Sequence, residues 1–316
     1  MRILVALGGN ALLQRGQTLS AQAQQVSVAA AAAVLAREIV DGHQLIITHG
    51  NGPQVGLLAL QSAAGPVASA MPLDVLGAES EGWIGYNIEL ALRNALPDQA
   101  KIITLLTQTL VDAADVAFQH PSKPIGPIYD EATAQHLATQ NHWAVKPDGA
   151  FWRRVVASPA PIAILELDAI KLLVEAGITV VCGGGGGIPV VRQAGSKLAG
   201  VEAVIDKDAT SALLAEQLDV DLFIMLTDVH GVFLDFGTAK SRMITHSSPA
   251  EMLSHAAAFA AGSMSPKTSA ACRFVEATGK RSIIGAMPEL HQLIAGTAGT
   301  TISPNIATLL SVLHGC

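Results

Sequence analysis

Apolar positions along the chain fall into two kinds of run. Short, unbroken apolar runs occur at Ile3–Leu7, Leu45–Thr48, Lys101–Leu106, Thr179–Cys182, Leu222–Leu226, Ser282–Gly285 and Thr300–Ile302. Between them lie longer stretches with helical patterning, near Ser20–Val40, Pro53–Ala63, Leu73–Leu96, Glu166–Ala176, Ala209–Glu216, Pro249–Phe259 and Pro266–Thr278. Strands that are apolar on both faces and alternate with helices predict an α/β fold. Its sheet is mostly parallel and covered by helices on both sides. One region breaks the rhythm. Asp112 to Pro161 is rich in Pro, His, Gln and Trp and has no long helical period, which predicts a subdomain or flap inserted after the third strand.

Composition narrows the class. At 316 residues, half of them apolar, the chain has room for a large core. Its longest uncharged apolar stretch, Val26–Ala36, is stopped by Arg37 and falls short of the ~20 residues that span a bilayer, so it reads as an alanine-rich helix packed closely on the sheet. Arg2 leads straight into a strand with no secretory pattern. Cys182, Cys272 and Cys316 have neither metal spacing nor a disulfide framework, and together these features predict a cytoplasmic protein. A net charge of −7 argues against nucleic acid as a partner and leaves small anions open, since local lysines decide that.

Glycine recurs where predicted strands end. Gly8-Gly9-Asn10 follows the first strand and Gly50-Asn51-Gly52 the second. Five consecutive glycines, Gly183 to Gly187, follow the fourth. In an open parallel sheet ligands bind at this carboxyl edge, and bare backbone N–H groups with helix N-termini make anion sites. No Gly-Lys-Ser/Thr follows any of these turns, so none is a Walker A loop.

Three lysines stand in unusual places. Lys207, between Asp206 and Asp208, opens a helical run, where a cation opposes the helix dipole. Lys267 follows Pro266 in the first turn of another helix. Lys123 sits between Pro121 and Pro124, which predicts a stiff, exposed presentation. Several cations beside glycine turns suit phosphoryl transfer, whose catalysis is mostly positioning and electrostatic stabilisation.

Read together, "ALGGNAL", "THGNGPQVG", "KPIGPIY", "RRVVASP", the glycine run with "IPVV", "EAVIDKD", "LTDV" and "GSMSPK" resemble carbamate kinases of the amino acid kinase fold, in family order over residues 6 to 267. The resemblance implies a dimeric three-layer αβα sandwich with a small protruding subdomain. It implies the reaction ATP + carbamate ⇌ ADP + carbamoyl phosphate with nucleotide-borne Mg²⁺, run toward ATP in fermentative arginine, agmatine or ureide breakdown. By that likeness Gly8, Gly9, Asn10, Gly50, Asn51 and Gly52 cradle the carbamoyl and transferring phosphoryl groups. Lys207 and Lys267 stabilise phosphates, Lys123 reaches over carbamoyl phosphate, and Asp206 orients the lysines and metal-bound water. Gly183, Gly184, Gly185, Gly186, Thr227, Asp228 and Met264 border the nucleotide.

The chain departs from the pattern at Ser265, where the family carries glycine and positive φ is a concern, and in a tail beyond Ser303. Two alternatives stay open: a related enzyme with another small carboxylate acceptor, against which no guanidinium clamp is evident, and a non-catalytic nucleotide-binding paralogue. If the insertion is a lid hinged near Gly126, Lys123 should lie far from the glycine turns without ligand.

Overall fold

The computed structural model describes residues 1–9, 12, 20–65, 71–259 and 263–304; Asn10 and most of the tail lie outside them. Eight strands form the main sheet. Their spatial order is His246–Ser247, Thr300–Ile302, Ser282–Ala286, Leu222–Thr227, Arg2–Leu7, Gln44–His49, Thr179–Val181 and Ile102–Thr104. All seven predicted strands are present. Neighbours pair in parallel except Ser282–Ala286 with Thr300–Ile302.

Nine α-helices occur among the described residues: α1 (Ala21–Val40), α2 (Gln54–Ala64), α3 (Leu73–Ala95), α4 (Glu131–Asn141), α5 (Leu167–Glu175), α6 (Lys207–Gln217), α7 (Pro249–Ser254), α8 (Met264–Thr278) and α9 (Leu290–Ala295). The period of two along each strand sorts the core into two layers. Leu4, Ala6, Phe223 and Met225 face one way, onto α5, α6 and α8. Ile3, Val5, Leu7 and Ile224 face the other, onto α1, α3 and α9. This is a three-layer αβα sandwich.

α1 begins at Ser20, whose hydroxyl accepts from the Ala23 N–H at 3.2 Å. At 20 residues it is long and apolar enough to cross a membrane, although the apolar run within it looked too short. Its buried stripe, Val28, Ala32, Leu35 and Ala36, is committed to the sheet and α3.

Two expectations need correction. The Asp112–Pro161 region does contain a helix, α4, capped by Asp130 accepting from the Thr133 N–H at 2.8 Å. Only Ala134 of its residues is buried, so no apolar stripe betrays it in the sequence. With α4 goes a three-stranded antiparallel sheet, Lys123–Tyr129, Phe151–Val156 and Ala144–Asp148, in which the Arg154 guanidinium lies 4.4 Å over the Trp143 ring. The predicted helix from Pro249 to Phe259 is α7 followed by a 3₁₀ turn at Ala256–Ala258.

The strands ending at Leu7, His49, Val181 and Thr227 are adjacent and parallel, so their carboxyl ends share one edge. That topology brings the separate glycine turns together.

Candidate active site

At that edge lies a cleft of about 800 Å³. Gly8, Gly9, Gly50, Asn51, Gly52, Gly185, Thr227, Asp228, Lys123, Asp206, Lys207 and Lys267 all line it. Met264, Gly183, Gly184 and Gly186 do not line the cleft, and Asn10 falls outside the described residues.

Lys207 is the first residue of α6, and Asp206 caps that helix by accepting from the N–H groups of Asp208 and Ala209 at 2.9 and 3.2 Å. The Lys207 stem lies against the second glycine turn: a Cβ on Gly50 would stand 3.5 Å from its Cδ. Asp208, 4% exposed, bridges two lysines, with Oδ1 accepting from Lys207 Nζ at 2.8 Å and Oδ2 from Lys267 Nζ at 2.9 Å. The residue that orients both ammoniums is therefore Asp208. Asp206 pairs instead with Lys123.

Burial alone would raise the Asp208 pKa, but the ammoniums of Lys207 and Lys267 outweigh it and hold the carboxyl well below the usual range. Burial pushes Lys207 down to about 8, against the pull of Asp208 and with a further push from Lys267. Two cations on one carboxylate leave a net positive centre aimed at the cleft.

The glycine run has a use inside the protein. Gly183 N–H donates to Thr107 Oγ1 at 2.8 Å and Gly184 N–H to Glu81 Oε1 at 2.8 Å. The N–H groups of Gly186 and Gly187 donate to the carbonyls of Gly183 and Gly184. A Cβ on Gly184 would stand 2.4 Å from the His49 ring and 2.7 Å from Glu81 Cγ; one on Gly186 (φ +95°) would stand 2.5 Å from the Ile205 carbonyl oxygen. The run must be bare for its own neighbours, and Gly185 is the member that reaches the cleft surface. Beneath it, burial pushes Glu81 up to about 8 and His49 down to about 4.

The amino acid kinase family profile matches residues 1–286. The carbamate kinase of Haemophilus influenzae is 49% identical over 96% of this chain and 97% of its own length. That of Rhizobium meliloti is 47% identical over 98% of this chain and 95% of its own. The structure of the Giardia lamblia carbamate kinase bound to AMP-PNP superposes with a TM-score of 0.87 at 39% identity, covering 96% of this chain and 98% of that one.

The chain belongs to the amino acid kinase family, among its carbamate kinases.

This amino acid kinase is accordingly a phosphotransferase that works by ATP-dependent phosphoryl transfer. Three features of its cleft correct the expectations. Lys123 is not remote from the glycine turns: it lines the same cleft, half-buried and paired with Asp206, as the first residue of an ordered strand. Gly126 (φ +71°) is a packing contact, since a Cβ on Gly56 would stand 2.1 Å from its Cα. Ser265 sits inside the first turn of α8 and needs no positive φ.

A guanidinium is present after all. Arg153 lines the cleft and donates to the Gly126 carbonyl at 2.8 Å, while its buried Nε has no partner. Arg153 stood in the quoted "RRVVASP" without a role, because only the fold turns that strand toward the cleft. Ser27, Ala30 and Val34 of α1 and the Met287-Pro288 pair form a wall that no motif marked.

Proposed function

We propose that this kinase interconverts ATP and carbamate with ADP and carbamoyl phosphate, and that it runs toward ATP in the cell. A carbamate oxygen bonds to the γ-phosphorus as the bond to the β-bridging oxygen breaks; the reverse step forms ATP. One observation carries the reading: the ammoniums of Lys123, Lys207 and Lys267 converge on a cleft floored by backbone turns. Charge gathering on the peripheral phosphoryl oxygens is met by Lys207 and Lys267, which Asp208 holds in place before substrate arrives. Carbamate is too small to need a side-chain pocket, and the turns at Gly8-Gly9 and Gly50–Gly52 supply backbone groups to it. Lys123 covers the carbamoyl end from the Asp112–Pro161 unit, which we read as a lid. Gly185, Thr227 and Asp228 border the nucleotide.

The donor set fits a magnesium ion carried by the nucleotide phosphates. Asp206 and Asp228 line the cleft, whereas Asp208 is committed to two ammoniums, so Asp206 would hold water bound to the ion once Lys123 turns from it to the carbamoyl end. Such an ion would supply charge neutralisation during the transfer. We further assign a homodimer to the outer face of α3, where Tyr86 and Leu106 are exposed beside Trp83 and Leu90. Cytoplasmic residence suits the free thiols of Cys182 and Cys272.

The deciding assay is ATP formation from ADP and carbamoyl phosphate, with acetyl phosphate in parallel. Turnover with carbamoyl phosphate at a kcat/KM at least about a hundredfold above acetyl phosphate is expected. Preference for acetyl phosphate would give the site to another small carboxylate acceptor.

A further inference from the structure

Away from the cleft, α1 ends in a cluster of ionisable groups that the phosphotransferase reading leaves unused. Glu38, in its last turn, is 1% exposed. Its Oε1 lies 3.3 Å from His291 Nδ1 on α9, and its Oε2 lies 4.0 Å from His43 Nε2 on the turn into the next strand. Asp41, the C-cap of α1, places a carboxylate oxygen within 4.8 Å of the Glu38 and His291 ligand atoms.

Two observations point beyond a simple ion-pair cluster. Glu38 Oε2 is buried with no hydrogen-bond partner, and so is His43 Nδ1 on the facing imidazole. A buried, unsatisfied carboxylate oxygen is costly, and this one belongs to the buried member of the cluster. Both carboxylates also stand at the negative end of a 20-residue helix, where a cation is favoured. Arg37 answers only part of that charge, 3.9 Å from Asp41 and largely in water. The imidazoles can answer the rest only when protonated.

We propose that Glu38, Asp41 and His291 form a binding site for a divalent transition-metal ion of zinc's chemistry, which clamps the end of α1 to α9. Tetrahedral bonds of ~2.0–2.1 Å place neighbouring ligand atoms about 3.3 Å apart, and the Glu38–His291 pair already stands at 3.3 Å. One imidazole nitrogen with two carboxylate oxygens, and a fourth position for water, favours zinc over magnesium, which prefers oxygen and keeps its waters. The clamped helices also matter to the cleft, because Ala30 and Val34 of α1 and Met287-Pro288 ahead of α9 form one of its walls.

The test is calorimetric titration of the metal-stripped full chain with Zn²⁺, without nucleotide, alongside melting curves. One equivalent should bind and raise Tm. His291→Ala, altering a half-exposed side chain, should weaken binding by about tenfold or more and abolish the Tm shift; Glu38→Gln should do the same. A hundredfold excess of Mg²⁺ should leave the isotherm unchanged. The proposal is overturned by the absence of stoichiometric binding, by a His291→Ala affinity within about threefold of the unaltered protein, or by displacement with Mg²⁺. The unaltered chain without zinc should still transfer phosphate, so failure here and failure of the carbamate kinase reading are separately visible.

Discussion

The Gly183–Gly187 run and the Asp206–Asp208 segment abut one another, with Gly186 against the Ile205 carbonyl, yet each depends on what the other lacks. From Gly184 to Gly187 side chains are absent because His49, Glu81, Asn51, Ile205 and Thr109 occupy the places where Cβ atoms would go, and Gly183 stands at φ +61°. Four of its N–H groups are satisfied inside the protein. In the charged segment the side chains are the working parts, and helix α6 serves to aim them. The first region excludes atoms to keep the fold, and the second concentrates charge to meet a ligand. Substitutions in the first should therefore be read in stability, and those of the lysine in the second in rate.

The sharpest way to break that division is Asp208→Asn. It leaves two largely buried ammoniums without their carboxylate, so it should cost stability as well as rate, on the order of 3–5 kcal/mol by denaturant titration. A loss under about 1 kcal/mol would mean that water already solvates and screens the two ammoniums. Gly184→Ala should come next. With His49 and Glu81 inside contact distance, overpacking should cost roughly 1–3 kcal/mol while kcat per folded molecule stays within a few-fold. A rate defect without instability would move the run into the chemistry.

The floor also predicts a pH profile. Glu81 titrates higher folded than unfolded, so its contribution to stability is lost as pH rises from the ordinary carboxylate range through about 8. His49 titrates lower folded than unfolded, so its contribution grows as pH rises from about 4 to the ordinary imidazole range. The two oppose each other in mildly acid solution, and Glu81 alone acts between roughly pH 6.5 and 8. Stability of the unaltered protein should fall across that interval, by up to ~1.4 kcal/mol per pH unit, and Glu81→Gln should flatten it. An unchanged slope in the variant would place the titration elsewhere. Smallest of all should be Ser265→Gly. The residue is helical, so glycine there should cost about 0.5–1 kcal/mol and leave the ATP Michaelis constant unchanged. Tighter ATP would show that the serine crowds the nucleotide.

What could be read from the sequence follows the same division. The central strands were legible because burial on both faces leaves unbroken apolar runs, as in Leu222–Thr227. The lysines were legible because Lys207 and Lys267 contradict the helix ends they occupy. α4 was hidden, since a helix that buries one alanine carries no period to detect. The reason for five glycines was hidden too: a sequence displays a missing side chain but not the neighbour that requires its absence. So was the double bridge at Asp208, whose second partner lies 59 positions away. Lys123 was placed too far out because its pairing with Asp206 depends on how a folded unit docks, which spacing does not record.

The claim at the centre of this account is that Lys207 and Lys267 act on the phosphoryl group in flight rather than on the fold. It is tested most directly by single-turnover transfer from carbamoyl phosphate to ADP in Lys207→Ala and Lys267→Ala, with melting curves on the same preparations. Removing either charge should slow transfer by about 10²–10³, or 3–4 kcal/mol of barrier, while cooperative melting is retained. A rate within about threefold of the unaltered enzyme in either variant would remove that lysine from the mechanism.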